Sequence, residues 1–286
     1  MTECFSEDDG DGRPPPPSQK VSCFVWRDGE VALSARSVPE ETAVAFTFNG
    51  STHAVMMATP ADLADFAVGF ALTEGLIDSK IEVENFEVVS TSLGIELRIW
   101  LPEAKAKIYA ARRRSMAGPT GCGLCGIESL AEASRPAPNV HANASRFSAQ
   151  TIYEAMAALP ETQKLNHETR AVHAAGFYLP SQGLVAVRED VGRHNALDKL
   201  IGALARGGIA AGQGIVLLTS RVSIELIQKT ARLGAPIVVA VSVPTAAGIR
   251  LAESCGITLA AIARGHDFEV FTHPQRLLDQ AIHHVA

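Results

Sequence analysis

No apolar run in this sequence approaches ~18–20 residues, so no membrane-spanning helix is expected. Nor is there a basic tract long enough to argue for nucleic acid: 25 lysines and arginines stand against 31 aspartates and glutamates, a net charge of −6. The stretch from Met1 to Gly12 is acidic and lacks the charged-then-apolar order of a secretory signal. Cysteine is scarce. The five present (Cys4, Cys23, Cys122, Cys125, Cys255) are odd in number and scattered, unlike a secreted disulfide framework. Together these absences point to the cytoplasm. Also missing are a second Cys-x-x-Cys and a spaced histidine pair, so a closed zinc site would lack two of its ligands, and no structural metal is expected. No histidine is followed two residues later by glutamate, which argues against zinc deaminase chemistry.

At 286 residues, 47% hydrophobic and 20% charged, the chain can bury a sizeable core as one large domain or two. Residues 1–20 carry four consecutive prolines, Pro14 to Pro17, after Glu7-Asp8-Asp9, and read as a disordered acidic tail. Residues 21–146 read as a smaller, strand-rich α+β domain. Asp28-Gly29 and Asn49-Gly50 suit tight hairpin turns that need positive φ. Thr59-Pro60 is expected to open a helix that carries Leu63, Phe66, Ala67 and Phe70 and stops near Glu74-Gly75. Met56 and Met57, just before it, read as core. Residues 102–146 form a connector that ends this domain at about residue 146.

Residues 147–286 alternate helix and strand. Three near-continuous apolar runs, Ile215–Leu218, Ile237–Val241 and Leu259–Ile262, are separated by helices of roughly ten residues, the pattern of short parallel strands covered on both faces. The fold class is therefore α/β with a three-layer αβα C-terminal domain. In such sheets ligands gather at the carboxyl ends of the strands. Those ends carry Thr219-Ser220-Arg221, Ser242-Val243-Pro244-Thr245 and Ala263-Arg264-Gly265-His266, suited either to an anionic ligand or to ordinary helix caps. A further cluster, Glu189-Asp190-Val191-Gly192-Arg193-His194-Asn195, follows a strand and opens a helix. Asp190, Arg193 and His194 are candidate functional groups there, with Ser220 and Arg221, and His173 is a weaker one.

The sharpest feature is Gly121-Cys122-Gly123-Leu124-Cys125-Gly126. Glycines frame a loop that can expose its backbone, and Arg112-Arg113-Arg114 upstream would favour a thiolate if the fold brings them near. A lone Cys-x-x-Cys is also compatible with half a zinc site, a disulfide or a thioredoxin-type pair. The displaced glycine-rich setting fits the last of these poorly. What remains is a nucleophilic thiolate with a second thiol beside it, able to accept sulfur as a persulfide.

These residues resemble the formate dehydrogenase accessory sulfurtransferases (FdhD). The resemblance runs through Asn49-Gly50, Met56 to Leu63, Gly69-Phe70, Thr73-Glu74-Gly75, Thr120 to Gly126, Glu189 to Lys199, Thr219-Ser220-Arg221 and Thr272 to Arg276. It implies that Cys122 is the persulfide cysteine and Cys125 its partner. It implies sulfur drawn from a cysteine desulfurase and delivered to the molybdenum cofactor, as Mo-bis(molybdopterin guanine dinucleotide), before insertion into the catalytic subunit of formate dehydrogenase. The guanine dinucleotide site would map onto Ile262, Ala263, Arg264, Gly265, His266 and Asp267. The second domain would resemble the cytidine deaminase fold without its zinc, and the chain would form a homodimer. Two rival readings stay open: a cofactor-binding chaperone that docks onto the dehydrogenase with no chemistry of its own, and a redox pair.

Overall fold

The computed structural model describes residues 13–106 and 137–278. Both turn dipeptides fold as their composition suggests. Asp28-Gly29 has φ of 52° and 84°, and Asn49-Gly50 has 47° and 79°, the doubly left-handed turn whose twist matches its flanking strands. The first closes β1 (Ser18–Arg27) on β2 (Glu30–Pro39) as a separate two-stranded ribbon. Phe24 faces Leu33 and Trp26 faces Val31 along it, on one largely exposed apolar face. Ser18, Gln19 and Lys20, expected in the tail, belong to this ladder, because pairing with Pro39, Val38 and Ser37 satisfies their backbone. The second turn closes β3 (Thr42–Phe48) on β4 (Ser51–Ala58). With β5 (Asn85–Thr91) and β6 (Gly94–Trp100) these build a four-stranded sheet of order β4-β3-β6-β5.

Helix α1 (Leu63–Thr73) covers that sheet. Phe46 stacks on Phe70 and meets the edge of Phe66, inside a core that also holds Val44, Leu97 and Ile99. Two expectations need correction here. The helix starts at Leu63 rather than at Thr59-Pro60, and Asp62 precedes it with φ of 54° and no side-chain cap. Met56 is half-buried against the core, but Met57 is 51% exposed, because neighbouring residues of a strand point to opposite faces.

The larger part is a six-stranded sheet of order β12-β11-β10-β9-β7-β8. Its chain runs through α2 (Ala149–Thr162), α3 (Lys164–Thr169), β7 (His173–Leu179), β8 (Gly183–Asp190), α4 (Arg193–Gly207), β9 (Ile215–Leu218), α5 (Ile224–Leu233), β10 (Ile237–Ala240), α6 (Ala246–Cys255), β11 (Thr258–Arg264) and β12 (Asp267–Thr272). Strands β9, β10 and β11 are parallel, as the apolar runs predict. Alternate residues face opposite layers. Val216, Leu218, Val238 and Ala240 pack with Leu197, Leu200, Leu226 and Ile227 of α4 and α5. Ile215, Leu217, Ile237 and Val239 pack with Ile152, Ala155 and Leu159 of α2. The architecture is mixed α/β. No helix of the described residues is long and apolar enough to cross a membrane.

The two parts meet where α1 crosses α4. A Cβ on Gly69 would lie 1.7 Å from the Asp198 carbonyl oxygen, and one on Gly202 would lie 1.8 Å from that of Asp65. The helices touch backbone to backbone, which only glycine permits. Charge seals the crossing. Buried Asp65 pairs with Arg188 at 2.6 Å and also with Arg206, while buried Asp198 takes Lys229 at 2.8 Å and the Thr73 hydroxyl at 2.7 Å.

Candidate functional site on the carboxyl rim

Because β9, β10 and β11 are parallel, their carboxyl ends share one edge of the sheet. Strand β7 enters and β8 leaves at that same edge, since His173 pairs with Asp190 and the Ala174 backbone N–H donates to the Thr219 hydroxyl at 2.8 Å. The β9 and β10 loops are stitched together by Val222 N–H to the Val243 carbonyl and Thr245 N–H to the Val222 carbonyl. One rim therefore gathers Asp190, Arg193, His194, Ser220, Arg221 and the segment Ile262–Asp267. Cys122 and Cys125 lie outside the described residues.

The rim has two very different ends. At one, Asp190 is fully buried. Its carboxylate pairs with Lys199 Nζ at 2.6 Å and accepts from Thr59 N–H at 3.0 Å, Gly192 N–H at 2.7 Å and Asn195 Nδ2 at 2.9 Å. Lys199 also donates to the Thr59 carbonyl at 2.8 Å, Val191 N–H donates to the Thr59 hydroxyl, and Asn195 Nδ2 reaches the Met57 carbonyl. This explains the late start of α1: the Thr59 backbone and hydroxyl hold the rim and do not cap a helix. The acceptor capacity of Asp190 is thus filled: one bond, from Thr59 N–H, ties the β4–α1 segment to the larger sheet, and the other three come from Lys199, Gly192 and Asn195 of the larger part itself. A buried ion pair satisfied in this way fixes a geometry more than it adds stability.

Beside it, the half-buried His194 lies 3.5 Å from the Ser223 hydroxyl. Burial, then the Arg193 guanidinium and the other nearby cations Lys229 and Arg221, pushes its pKa down to about 4, so the imidazole is neutral at pH 7. His173 is lowered by burial and by Arg193 in turn. Glu225 is raised by burial, but its hydrogen bonds with Ser223 and its own backbone N–H, together with the Arg193 guanidinium, outweigh that and leave its pKa below the ordinary carboxylate value. Ser220 is buried and donates to the Arg221 carbonyl, while Arg221 itself is exposed. Arg193, His194, Ser223 and Glu225 thus form a half-buried charged cluster at the starts of α4 and α5.

At the other end, Ile262–Asp267 is not a loop beyond the sheet. Ile262, Ala263 and Arg264 finish β11, Gly265 and His266 turn the chain, and Asp267 opens β12. The β11–β12 register slips between Ala261 and Arg264, and Ile262 takes φ of 56° there, an uncommon state for a β-branched residue. Ala263 is buried in the α2-side core and offers no side chain to a ligand. Arg264, Gly265, His266 and Asp267 are exposed, and neither Arg264 nor Asp267 has an ion-pair partner among the described residues. The Tyr153 ring on α2 meets His266 edge-on at 5.0 Å and leans on Phe268 at 5.6 Å. Nothing in the sequence signals this contact, since the local mark of Tyr153 is only its place in an amphipathic helix. Sequence reasoning also missed β12, although Asp267 to Val270 alternates polar and apolar residues. Among the described residues no group of histidine, cysteine, aspartate and glutamate is arranged to hold a metal.

Residues 39–278 match the model of the FdhD/NarQ family. The chain belongs to that family. It is 54% identical over 260 residues to the sulfur carrier protein FdhD of Agrobacterium fabrum, covering 91% of this chain and 96% of that one. The protein of the same name from Cupriavidus necator is 47% identical over 273 residues, 95% and 94% of the two chains. A formate dehydrogenase accessory protein from Desulfotalea psychrophila superposes with a TM-score of 0.73 at 26% identity, over 92% of this chain and all of that one. The FdhD/NarQ match takes in both ends of the rim and starts at the last residue of β2, so the β1–β2 ribbon precedes it.

Proposed function

We propose that this protein carries sulfur for formate dehydrogenase. The Cys122 thiolate attacks the terminal sulfur of a cysteine desulfurase persulfide. The sulfur–sulfur bond of the donor breaks, the desulfurase cysteine leaves as thiolate, and Cys122 holds the sulfur as its own persulfide. Cys125 is the second thiol of that loop. The acceptor is Mo-bis(molybdopterin guanine dinucleotide), bound as a substrate and released for insertion into the dehydrogenase catalytic subunit. A homodimer in the cytoplasm performs the transfer. The observation that carries this reading is the glycine-framed pair Gly121 to Gly126 in a chain 54% identical to a protein named as a sulfur carrier.

The rim supports the second half of the reaction. Arg264 is exposed at the carboxyl end of β11, free of ion-pair partners among the described residues, where a guanidinium meets a phosphate well. Neutral His194 between Arg193 and Ser223 provides polar contacts without further net charge. A three-layer αβα sheet with His194 and no glutamate two residues on is what a deaminase-like fold stripped of its zinc would present. Substituting Cys122→Ala tests the reading against a purely binding role. Dehydrogenase activity in cells that depend on this protein should disappear while guanosine nucleotide binding persists. Retained activity would favour the chaperone.

A further inference from the structure

The β1–β2 ribbon joins neither of the other two sheets. Its base is fixed to the body. The Ser18 hydroxyl donates to Glu168 on α3 at 3.0 Å, and α3 is held in turn by Leu165 and Asn166, whose N–H groups donate to the Glu189 carboxylate at 2.8 Å each. Beyond that base, one face of the ribbon carries Phe24 across from Leu33 and Trp26 across from Val31. All four are more than half exposed: Phe24 66%, Leu33 72%, Trp26 70% and Val31 51%. On the reverse face Cys23 and Val25 are half-buried. Arg27, Asp28 and Glu30 sit at the tip and Lys20 and Arg36 lie towards the base, so the middle of the open face is apolar. A two-stranded ribbon is marginal in water by itself, and two aromatic rings left wet on it forgo most of what their burial would contribute. The ribbon lacks a second layer.

We infer that this face is where two copies of the chain meet, ribbon stacked on ribbon about a two-fold axis. The inference rests on the proposed homodimer and names its surface. Two observations select a second copy as the occupant. The first is self-complementarity. In a two-fold contact each patch meets itself, and a patch built of Phe24, Trp26, Val31 and Leu33 sets no like charges face to face when it is doubled. The second is area. At their exposures the four side chains present on the order of 400 Å² of apolar surface. Two copies bury on the order of 800 Å², and the flanking Ser22 and Ala35 with the strand backbones bring the total to about the 1,000 Å² at which specific interfaces begin. The geometry is that of the smallest sheet sandwich. Two twisted ribbons pack face to face about 10 Å apart, and each supplies the layer that the other lacks.

Sedimentation velocity of the full-length protein tests this. Wild type should run as a dimer. Phe24→Asp and Trp26→Asp should each weaken association by at least about thirtyfold, the loss expected of a desolvated aromatic anchor, and the double variant should run as a monomer at the same concentration. Ser34→Asp, on the reverse face of the same strand pair, should leave the dimer intact. None of these residues belongs to a hydrophobic core of the body, and matched urea melts establish that each variant is folded. Fluorescence gives a second reading. Trp26 and Trp100 are the two tryptophans of the chain, so Trp100→Phe leaves Trp26 as the reporter. Its emission should lie to the blue in the dimer and move to the red on dilution. A double Phe24→Asp/Trp26→Asp variant that remains a dimer, or Trp26 emission that does not change as the dimer dissociates, would overturn the ribbon contact and leave the homodimer standing on another surface. A wild-type protein that sediments as a monomer would remove the homodimer reading itself, and this inference with it.

Discussion

Asp190 and Asp267 stand at opposite ends of one rim, the first in a polar motif conspicuous in the residues themselves and the second in a segment that only the resemblance singles out, and their surroundings are opposite. Asp190 is fully buried, ion-paired with Lys199 and fed by three N–H donors. Asp267 is exposed at the first position of β12, with no ion pair among the described residues. A charged residue in a dense polar motif signals that something depends on it but not what. Saturation of its hydrogen-bonding capacity decides. Asp190 has nothing left to offer a ligand and holds the two parts of the molecule together, whereas the β11–β12 turn has everything to offer and little to hold.

That contrast is open to attack at several points. Asp190→Ala should be the most damaging, because it strands the fully buried Lys199 ammonium: a loss of about 3–5 kcal/mol in urea unfolding is expected. A loss under about 1 kcal/mol would mean that the lock is not what joins the parts. Gly202→Ala comes next. Its methyl group would sit 1.8 Å from the Asp65 carbonyl oxygen, so α1 and α4 must separate, at about 1–3 kcal/mol despite the better helix propensity of alanine.

His194 lies between the two ends and makes a prediction in pH. Its folded pKa of about 4 is below the ordinary 6.5, so the unfolded chain binds the proton more readily. Its contribution to stability is therefore present above pH 6.5 and is lost as the pH falls from there towards 4. Between pH 7 and pH 5 wild type should lose about 2 kcal/mol that His194→Gln does not lose, as read from urea melts at each pH. Equal losses in both proteins would show an exposed, ordinary histidine. The smallest effect belongs to the open end. Arg264→Ala should change unfolding free energy by no more than about 0.5 kcal/mol while weakening GDP binding. A large stability loss there would erase the distinction between the lock and the turn.

Much of this was legible in the residues. Asp28-Gly29 and Asn49-Gly50 announce their turns because few dipeptides tolerate two positive φ values. The apolar runs announce parallel strands because such strands are buried on both faces. Where reading failed, a tertiary partner had taken over a local signal. Thr59 looks like a helix cap and is instead bound by Asp190, Val191 and Lys199, from more than a hundred residues away. Met57 is apolar in an apolar pair, yet the pleat turns it outward. The segment Ile262–Asp267 is singled out by resemblance, whereas the contact of Tyr153 with His266 follows only from the packing of α2 on the sheet. The cysteine pair of Gly121 to Gly126 is legible in the sequence and lies outside the described residues.

The central claim is that Cys122 carries sulfur, and intact-mass spectrometry after incubation with an active cysteine desulfurase and cysteine tests it most directly. The account predicts an adduct of one sulfur that maps to the Cys122 peptide, disappears on reduction and is absent from Cys122→Ala. A protein that emerges unmodified, beside a desulfurase shown to be turning over, would contradict it.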